Sequence, residues 1–488
     1  MSAEQQTFGF AAVEGRKVEA SFDGGEITTN AGALLLKQVD AKINLSRRVA
    51  EAFADWRLPA AVEHELPNLV AQRIFGLALG YEDLNDHDQL RNDLGLQAAV
   101  GKTSVRREDC APLAGKSTLN RLELSSQIVS RYCKTPHDPA KIEKLLVDLF
   151  LEAHVRAPKE IILDLDATDD RLHGEQEGKF FHGHYRCHCY LPLLIFSGKH
   201  LLAAKLRTAN VDAGHGALEE VARIVGQIKS RWPRVRIIVR GDGGFCRNDL
   251  MHWCKESGVD YIFGLAKNPR LNAMIGRQLL GAAKEHLQTG EAARRFVDFY
   301  YKTRDSWTCS RRVVAKAEWI KPSAAELEAS SDLDGAKPKK KGAPFLVGNV
   351  DLNGLQGRAN PRFVVTSLSR EEYGARELYE DLYCARGEME NRIKECQLDL
   401  FSDRTSTHYI NSNQLRLWFS ALAYVLIDAL RRLALEGTRL ASSTCGSIRS
   451  KLLKIGAQVK ISVRRIKFSM AQAFPHADVF AAAWSALS

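Results

Sequence analysis

The chain has 488 residues, 45% of them hydrophobic, so it is long enough to bury more than one core in about two to four domains. Its 69 basic and 59 acidic residues give a net charge of +10, which favours a polyanionic partner. The ten cysteines form no regular framework and no apolar run is long enough to cross a bilayer, which argues against a disulfide scaffold and a membrane protein. We therefore expect a cytoplasmic protein.

The first 156 residues are predicted to form a helical N-terminal domain that binds DNA. After a stretch at 18–22 that is compatible with a short strand, apolar residues recur at helical spacing, for example in 69–79 and 142–152. Polar residues at 85–88 and 114–118 are typical of caps and turns between helices. A purely structural helical domain fits the same pattern, and the sequence alone does not separate it from a domain that binds DNA ends.

From about residue 158 the spacing of the apolar residues becomes that of strands alternating with helices. The predicted elements are, in order, strands at 160–166, 190–197 and 200–207, a helix at 216–232, a strand at 236–240, a helix at 246–256 and a strand at 260–265. Three strands, a helix, a strand, a helix and a strand is the order of the ribonuclease-H-like (RNase H-like) α/β fold, a mixed sheet flanked by helices. We therefore assign 157–268 to the first part of such a core.

The remaining residues are predicted to form three further parts. Residues 269–365 have helix-like and then strand-like sequence, which indicates a β-rich insertion with a flexible charged loop near 322–344. Residues 366–403 return to the core and include a helix around Glu390. Residues 404–488 are predicted to form a helical, basic C-terminal region.

Three acids fall at the ends of predicted strands. Asp164 and Asp166 are two residues apart, so both point to one side of their strand, and Asp166 lies nearer the strand end. Asp242 lies in a Gly-Asp-Gly-Gly sequence, whose glycines allow a bulky ligand to approach the backbone closely. An ordinary turn is the alternative for each of these acids taken alone.

Glu390 is predicted to share a helix face with other polar residues. Tyr383 and Lys394 lie seven and four residues from it, in a narrow sector of the helix, with Arg386 beside them. This face is either merely solvated, or it allows Glu390 to bind metal while Arg386 and Lys394 hold phosphate oxygens. Converging carboxylates suit Mg²⁺, and a pair of such ions drives in-line phosphoryl chemistry. The candidate metal ligands are Asp166, Asp242 and Glu390, with Asp164 as a further candidate.

These motifs carry a family resemblance. The Asp-x-Thr strand end, the Arg-Gly-Asp-Gly-Gly-Phe segment and the Tyr-x-x-Arg-x-x-x-Glu helix together resemble bacterial insertion-sequence transposases of the DDE type, and closely the IS1380 family. Further matches to that family lie at 79–91, 113–123, 173–176 and 413–417. The similarity extends over nearly the whole chain, from about residue 30 to residue 469.

The resemblance implies an RNase H-like core interrupted by a β insertion before the catalytic glutamate. It implies Asp166, Asp242 and Glu390 as the catalytic and metal-binding triad, holding two Mg²⁺ ions for which Mn²⁺ substitutes. In the related IS4-type signature a lysine follows the glutamate by seven residues. That position is Gln397 here, and Lys394, one helical turn after Glu390, is the candidate for its role.

Two further sets of residues are candidates for DNA contact. Related enzymes hold a flipped base with an aromatic side chain of the insertion, for which Trp307 and Trp319 are the candidates. Eight basic residues and no acid lie between Gly437 and Ala477, and such a one-signed run favours phosphate contact over a merely solvated face. The predicted phosphate-binding residues are Tyr383, Arg386, Lys394, Arg449, Lys451, Lys454, Arg464 and Arg465.

The run of alternating His and Cys at 182–189 has two interpretations. Soft ligands of this kind bind zinc, but the spacing matches no common zinc module and the run adjoins a predicted strand. A surface hairpin is the favoured interpretation, and the sequence does not exclude zinc.

From these observations we expect a cut-and-paste DNA transposase. It would bind the terminal inverted repeats of its element and target DNA as a homodimer, at the nucleoid, and use metal-dependent strand cleavage and strand transfer. Two alternatives stay open at this stage. One is an RNase H-like nuclease without strand transfer, and the other is a catalytically silent DNA-binding protein.

Overall fold

The computed structural model describes residues 6–125, 130, 133–321, 346–347, 350–351 and 357–488. The predicted loop near 322–344 therefore lies outside the described residues. In the described ranges, no helix is both long and apolar enough to cross a membrane.

The N-terminal region is mostly helical but begins with strands. An antiparallel hairpin of β1 (Thr7–Val13) and β2 (Arg16–Ser21) comes first, and only β2 had a sequence signal. A short strand β3 (Ile27–Thr28) follows. The helices that come next are α1 (Ala33–Ile43), α2 (Leu45–Ala50), α3 (Leu66–Ala78), α4 (His87–Leu90), α5 (Leu94–Val100), α6 (Lys116–Glu123) and α7 (Pro139–Glu152), with single helical turns at Pro59–Ala61 and Leu84–Asp86.

The central region is a mixed sheet flanked by helices, and its elements follow the predicted order. The elements are β4 (Glu160–Ala167), β5 (Asp170–Arg171), β6 (Phe180–His182), β7 (Cys187–Tyr190), β8 (Leu193–Ser197), β9 (His200–Lys205), α8 (Ala217–Arg231), β10 (Arg236–Gly241), a helical turn at Gly243–Phe245, α9 (Asn248–Glu256) and β11 (Asp260–Leu265). In space the order is β9-β8-β4-β10-β11. β10 is parallel to β4 and β11, whereas β8 is antiparallel to β4 and β9.

The long strands of the insertion join the central sheet. Its elements are α10 (Pro269–Met274), α11 (Gly276–Thr289), β12 (Ala293–Tyr301), β13 (Arg311–Ile320), β14 (Leu346–Val347), β15 (Val350–Asp351), β16 (Arg358–Ala359) and β17 (Arg362–Thr366). β17 pairs antiparallel with β11, and β13 and β12 continue outward, so these strands extend the central sheet. Strand propensity shows that residues form strands but does not identify the edge with which they pair.

The helical stretch that carries Glu390 is irregular. It consists of Ala375–Glu377, a π-helical segment Leu378–Tyr383, a tight turn Cys384–Arg386, the α-helix Gly387–Lys394, which we call the Glu390 helix, and a second π-helical segment Glu395–Asp399. Such changes of helical pitch rotate the side chains that follow, so the uniform spacing assumed from the sequence does not hold across the whole stretch.

The C-terminal region is helical except for one hairpin that the sequence analysis did not predict. A long helix, Ile410–Ala434, is followed by the short segments Cys445–Ile448 and Arg449–Leu453. β18 (Ala457–Ser462) and β19 (Arg465–Met470) then form an antiparallel hairpin, and β18 also pairs with β3. The chain ends in the helix Ala477–Leu487. The β3 partner lies more than 400 residues upstream, which local sequence cannot indicate.

Two large apolar cores hold these parts together. The first is built by the N-terminal helices together with the helix Ile410–Ala434, and it extends to side chains of β8 and β9. The second lies on one face of the sheet, where α8 and α11 bury one apolar side each. In β4, Leu163 and Leu165 point into this second core. Because side chains alternate along a strand, Asp164 and Asp166 point to the opposite face.

Candidate active site

The register of two parallel strands brings the first two acids to one sheet edge. β10 runs beside β4 with Arg240 opposite Asp164 and Gly241 opposite Leu165. Asp242 is the first residue after β10 and Asp166 is the next residue within β4, so the two acids lie at the ends of neighbouring strands at the same level. Parallel strands present their carboxyl ends at the same edge, which is the physical reason that these residues meet.

A cation links the strand aspartate to the distant glutamate. The Arg386 guanidinium donates to Oδ2 of Asp166 over 3.2 Å, and its other terminal nitrogen lies 3.5 Å from Oε1 of Glu390. Arg386 and Asp166 are 220 residues apart in the chain. The side chains of Arg386 and Asp166 are each 17% exposed, whereas that of Glu390 is 53% exposed. Glu390 is thus more accessible to solvent than Asp166.

The carboxylates influence one another electrostatically. Burial raises the pKa of Asp166 to about 6; the charge of Arg386 opposes this rise, and the negative charges of Asp242 and Glu390 add to it. Burial lowers the pKa of Arg386, but Asp166, Asp242 and Glu390 outweigh that effect and the net pKa lies above its ordinary value. A buried carboxyl group such as that of Asp166, whose ionisation two neighbouring negative charges disfavour, gains from any added positive charge.

Asp242 lies at the mouth of a cleft beside Tyr383. Its Oδ1 accepts a hydrogen bond of 2.9 Å from the backbone N–H of Gly244. The cleft has a volume of about 420 Å³ and is lined by residues that include Asp242, Gly264, Arg362 and Tyr383. A Cβ at Gly264 would come within 2.7 Å of the Tyr383 hydroxyl, so a glycine is needed there for the ring to pack against the strand. The predicted Tyr383 thus lies at the site.

Asp164 has a different role from the one predicted. Its two oxygens accept hydrogen bonds of 2.5 and 2.8 Å from the guanidinium of Arg240, which also donates to the carbonyl of Leu382. Both side chains are about 7% exposed. With both oxygens held by a buried arginine, Asp164 serves to tie β4, β10 and the π-helical segment together, and we withdraw it as a metal ligand.

The two tryptophans predicted to hold a base are buried. Trp307 is 5% exposed, packs edge-on against Tyr301 and lies under the guanidinium of Arg311. Trp319 is 1% exposed, within the core on the sheet. Trp319 of β13 and Trp307 of the loop between β12 and β13 both belong to the core on the sheet, so the structure does not bring either ring to the three acids as an exposed surface.

The predicted phosphate-binding residues of the C-terminal region fall into two groups. Arg449 donates to the carbonyls of Ala78 and Asp399, and Lys454 lies 3.9 Å from the centre of the Tyr81 ring and donates to Asn30. These two cations link the C-terminal region to the N-terminal helices, which corrects their predicted role. The exposed members of the predicted set are Lys394, Lys451, Arg464 and Arg465.

The chemistry of the site fits a divalent cation. Carboxylate oxygens are the ligands that Mg²⁺ prefers, and the guanidinium of Arg386 already occupies a position between two of the acids. Across 6–125, 133–321 and 357–488, however, no three His, Cys, Asp or Glu side chains surround a single metal position. Asp166, Asp242 and Glu390 therefore have the right charge and donor type without a closed coordination sphere. The run at 182–189 forms the end of the β6–β7 hairpin.

Sequence reasoning missed two residues that shape the site. Arg240 is a charged residue inside an apolar strand, and its signal was the opposite charge of Asp164 at the same distance from the start of the neighbouring strand. Gln397 donates to the Thr168 hydroxyl at 3.2 Å and to the Asp169 carbonyl at 3.4 Å. Gln397 thus fixes the chain just beyond β4. From the sequence, Gln397 was considered only as the residue at the lysine position of the IS4-type signature.

Comparison with known proteins identifies the family of the chain. No curated protein matches the chain. A family model described as transposase DDE domain, group 1, matches residues 10–328 and 352–488, nearly the whole chain. Members of that family bind DNA and carry out transposition. The chain therefore belongs to the DDE-domain transposases of group 1.

Proposed function

We propose that the chain is the transposase of an IS1380-type insertion sequence, which cuts its element out of DNA and joins it to a new site. The motifs that resemble the IS1380 family support the narrower assignment, and the family match supports the broader one. We further propose that β9-β8-β4-β10-β11, with α8 and α9, is an RNase H-like core. Its support is the strand order, with β8 alone antiparallel to its two neighbours, and the acids after β4 and β10.

One observation carries the proposal. Arg386 contacts both Asp166 and Glu390, and Asp242 follows the strand next to Asp166. Three acids from distant parts of the chain thus share one electrostatic environment at a sheet edge. Structural acids are normally matched by neighbouring cations, as Asp164 is by Arg240, whereas here three acids face one arginine.

In this proposal Asp166, Asp242 and Glu390 would hold two Mg²⁺ ions, or Mn²⁺ in their place, and these ions would supply Lewis acidity for cleavage of a phosphodiester. Arg386 and Lys394 hold phosphate oxygens of the DNA end, and Tyr383 positions the strand beside Asp242. Asp164 and Arg240 fix the ends of β4 and β10. We also propose that two chains act together at the nucleoid, because both ends of an element must be held during transfer.

The direct test uses the full chain and DNA that carries the two ends of its own element. We expect strand cleavage at the element ends with Mg²⁺ or Mn²⁺ and none with EDTA. Joined products with a target plasmid indicate strand transfer, and free ends alone indicate a nuclease. If the protein binds the ends but leaves them intact with either metal, the proposed activity is wrong and a silent DNA-binding protein remains.

The exposed basic turn between β18 and β19 gives a further prediction. Replacing Arg464 and Arg465 by glutamine should reduce the steepness of log Kobs against log salt concentration by about 2, since each lost phosphate contact removes about 0.9. Fluorescence anisotropy over a salt series measures this slope. The control is Lys284→Gln. Lys284 is exposed on α11, which packs on the face of the central sheet opposite to Asp164 and Asp166. An unchanged slope in the double variant would remove this turn from the DNA-binding surface.

A further inference from the structure

The β6–β7 hairpin, residues 179–190, presents aromatic rings to solvent. Phe180 is 42% exposed and Phe181 is 59% exposed, on successive positions of β6. The Phe181 ring packs edge-on against His188 of β7, with 5.5 Å between the ring centres. We call this segment the aromatic hairpin. Burial of an exposed phenylalanine ring against a partner is favourable.

The aromatic hairpin lies directly beside the candidate active site. Its strand β7 pairs with β5, which begins four residues after Asp166. At the turn, the Tyr185 hydroxyl donates to the carbonyl of Ala167 at 3.2 Å. Burial raises the pKa of Tyr185 to about 12, and the charges of Asp169, Asp166 and Asp242 add to the rise. The turn of the hairpin is therefore held against the end of β4 and within electrostatic reach of both aspartates.

The charge of the aromatic hairpin is complementary to nucleic acid. No acidic residue occurs between Glu177 and Asp212. Arg186, His184 and His188 are exposed, and Arg186 adopts a left-handed backbone with φ of 56° at the turn. Lys179, in contrast, is paired with Glu175. The surface next to the three acids thus combines rings with positive or titratable groups, which is the combination that binds single-stranded nucleic acid.

We propose that the aromatic hairpin is a stacking surface for unpaired DNA bases at the end of the strand held by Asp166, Asp242 and Glu390. The inference rests on the proposed function, since it takes the ligand to be a DNA end. Trp307 and Trp319 do not supply this surface because they are buried. Phe181 is the more exposed of the two rings and is therefore the expected contact. Because every base has an aromatic face, Phe181 is expected to stack on any unpaired base.

The test compares two DNA probes that carry the same element end. One is fully paired, and in the other the terminal bases beyond the cleavage position are mismatched. Fluorescence anisotropy is measured in EDTA, so that binding is read without cleavage. We expect Phe181→Ala to weaken binding of the mismatched probe by about 5- to 150-fold, the range for loss of one stacked base, and to leave the paired probe nearly unchanged. Phe181→Tyr should restore most of the affinity.

The matched control is Trp484→Ala. Trp484 is also 59% exposed but lies on the last helix, Ala477–Leu487, so its loss should affect neither probe. Equal affinity of wild type and Phe181→Ala for the mismatched probe overturns the inference, as does an equal loss for both probes. A loss of self-association in Phe181→Ala, with DNA binding intact, would also overturn it and assign the hairpin to a protein interface.

The two proposals fail in different ways. If wild-type protein cleaves element ends with Mg²⁺ but Phe181→Ala binds both probes normally, the stacking surface is wrong and the transposase function stands. If wild-type protein binds neither probe, both proposals are wrong. The folding of Phe181→Ala is checked by circular dichroism, and Phe180→Ala provides a second variant on the same strand.

Discussion

Replacing Asp242 by asparagine is expected to abolish metal-dependent cleavage while DNA binding persists. Asparagine keeps the size of the side chain and an oxygen that can accept the hydrogen bond from Gly244, but it removes the negative charge. A lost anionic ligand should lower the cleavage rate on the order of a thousandfold, which corresponds to roughly 4 kcal/mol of transition-state stabilisation. Single-turnover cleavage of labelled element ends with Mg²⁺ measures the rate.

The control for this variant is Asp305→Asn, an exposed aspartate in the loop between β12 and β13. It makes the same chemical change away from the three acids and should cleave like the wild type. Anisotropy in EDTA should give the same affinity for element ends in wild type and both variants. Undiminished cleavage by Asp242→Asn would exclude Asp242 from the triad, and with it the argument from the β4–β10 register.

Much of the central fold was predictable because the order of its elements is written locally in the sequence. Apolar runs and amphipathic segments of period 3.6 mark β4, β8, β9, β10, β11, α8 and α9. The structure has these elements in the predicted order, with β5, β6 and β7 added between β4 and β8. Pairing between distant segments is not local. For this reason the junction of β17 with β11 and of β18 with β3 appeared only in the structure.

The site shows the same division. Strand ends and a helix indicated Asp166, Asp242 and Glu390, and the structure brings Arg386 into contact with two of them. Whether a polar residue faces a site or a buried partner depends on the neighbouring strand. Asp164 is held by Arg240, and Arg449 lies between two backbone carbonyls, although both matched a functional pattern. The burial of Trp307 and Trp319 was not predictable for a related reason, because the local sequence does not show that β12, β13 and the loop between them pack on the central sheet.

The second large effect is expected on stability and concerns Glu123. This side chain is fully buried and accepts hydrogen bonds from Arg73 at 2.5 Å and from Arg416 at 2.7 Å. Glu123→Gln leaves the buried Arg73 and the partly buried Arg416 without their shared anion, and removal of one partner from a buried ion pair costs about 3–5 kcal/mol. Urea unfolding followed by circular dichroism should show this loss. The control is Glu65→Gln, whose exposed pair with Arg106 should contribute less than about 1 kcal/mol.

The pKa of Glu123 determines how the difference in stability between wild type and Glu123→Gln depends on pH. Burial raises the pKa of Glu123, but the charges of Arg73 and Arg416 and their hydrogen bonds outweigh burial, so the net pKa lies below its ordinary value. A lowered pKa stabilises the folded state above the unfolded pKa of about 4.3, and this contribution is lost as the pH falls through the folded pKa. The difference between wild type and Glu123→Gln should therefore be full at neutral pH and shrink in acid.

Because of where Glu123 lies, the same variant also tests whether the N-terminal helices are an independent domain. Glu123 lies at the end of α6, Arg73 lies on α3, and Arg416 lies on the helix Ile410–Ala434. The ion triad thus joins the N-terminal helices to the C-terminal helix across a shared apolar core. If these parts unfold as one unit, Glu123→Gln should shift a single transition to lower urea. If instead two transitions separate in the variant, the N-terminal helices are an independent domain, and an unchanged midpoint would show that the triad contributes nothing to their association.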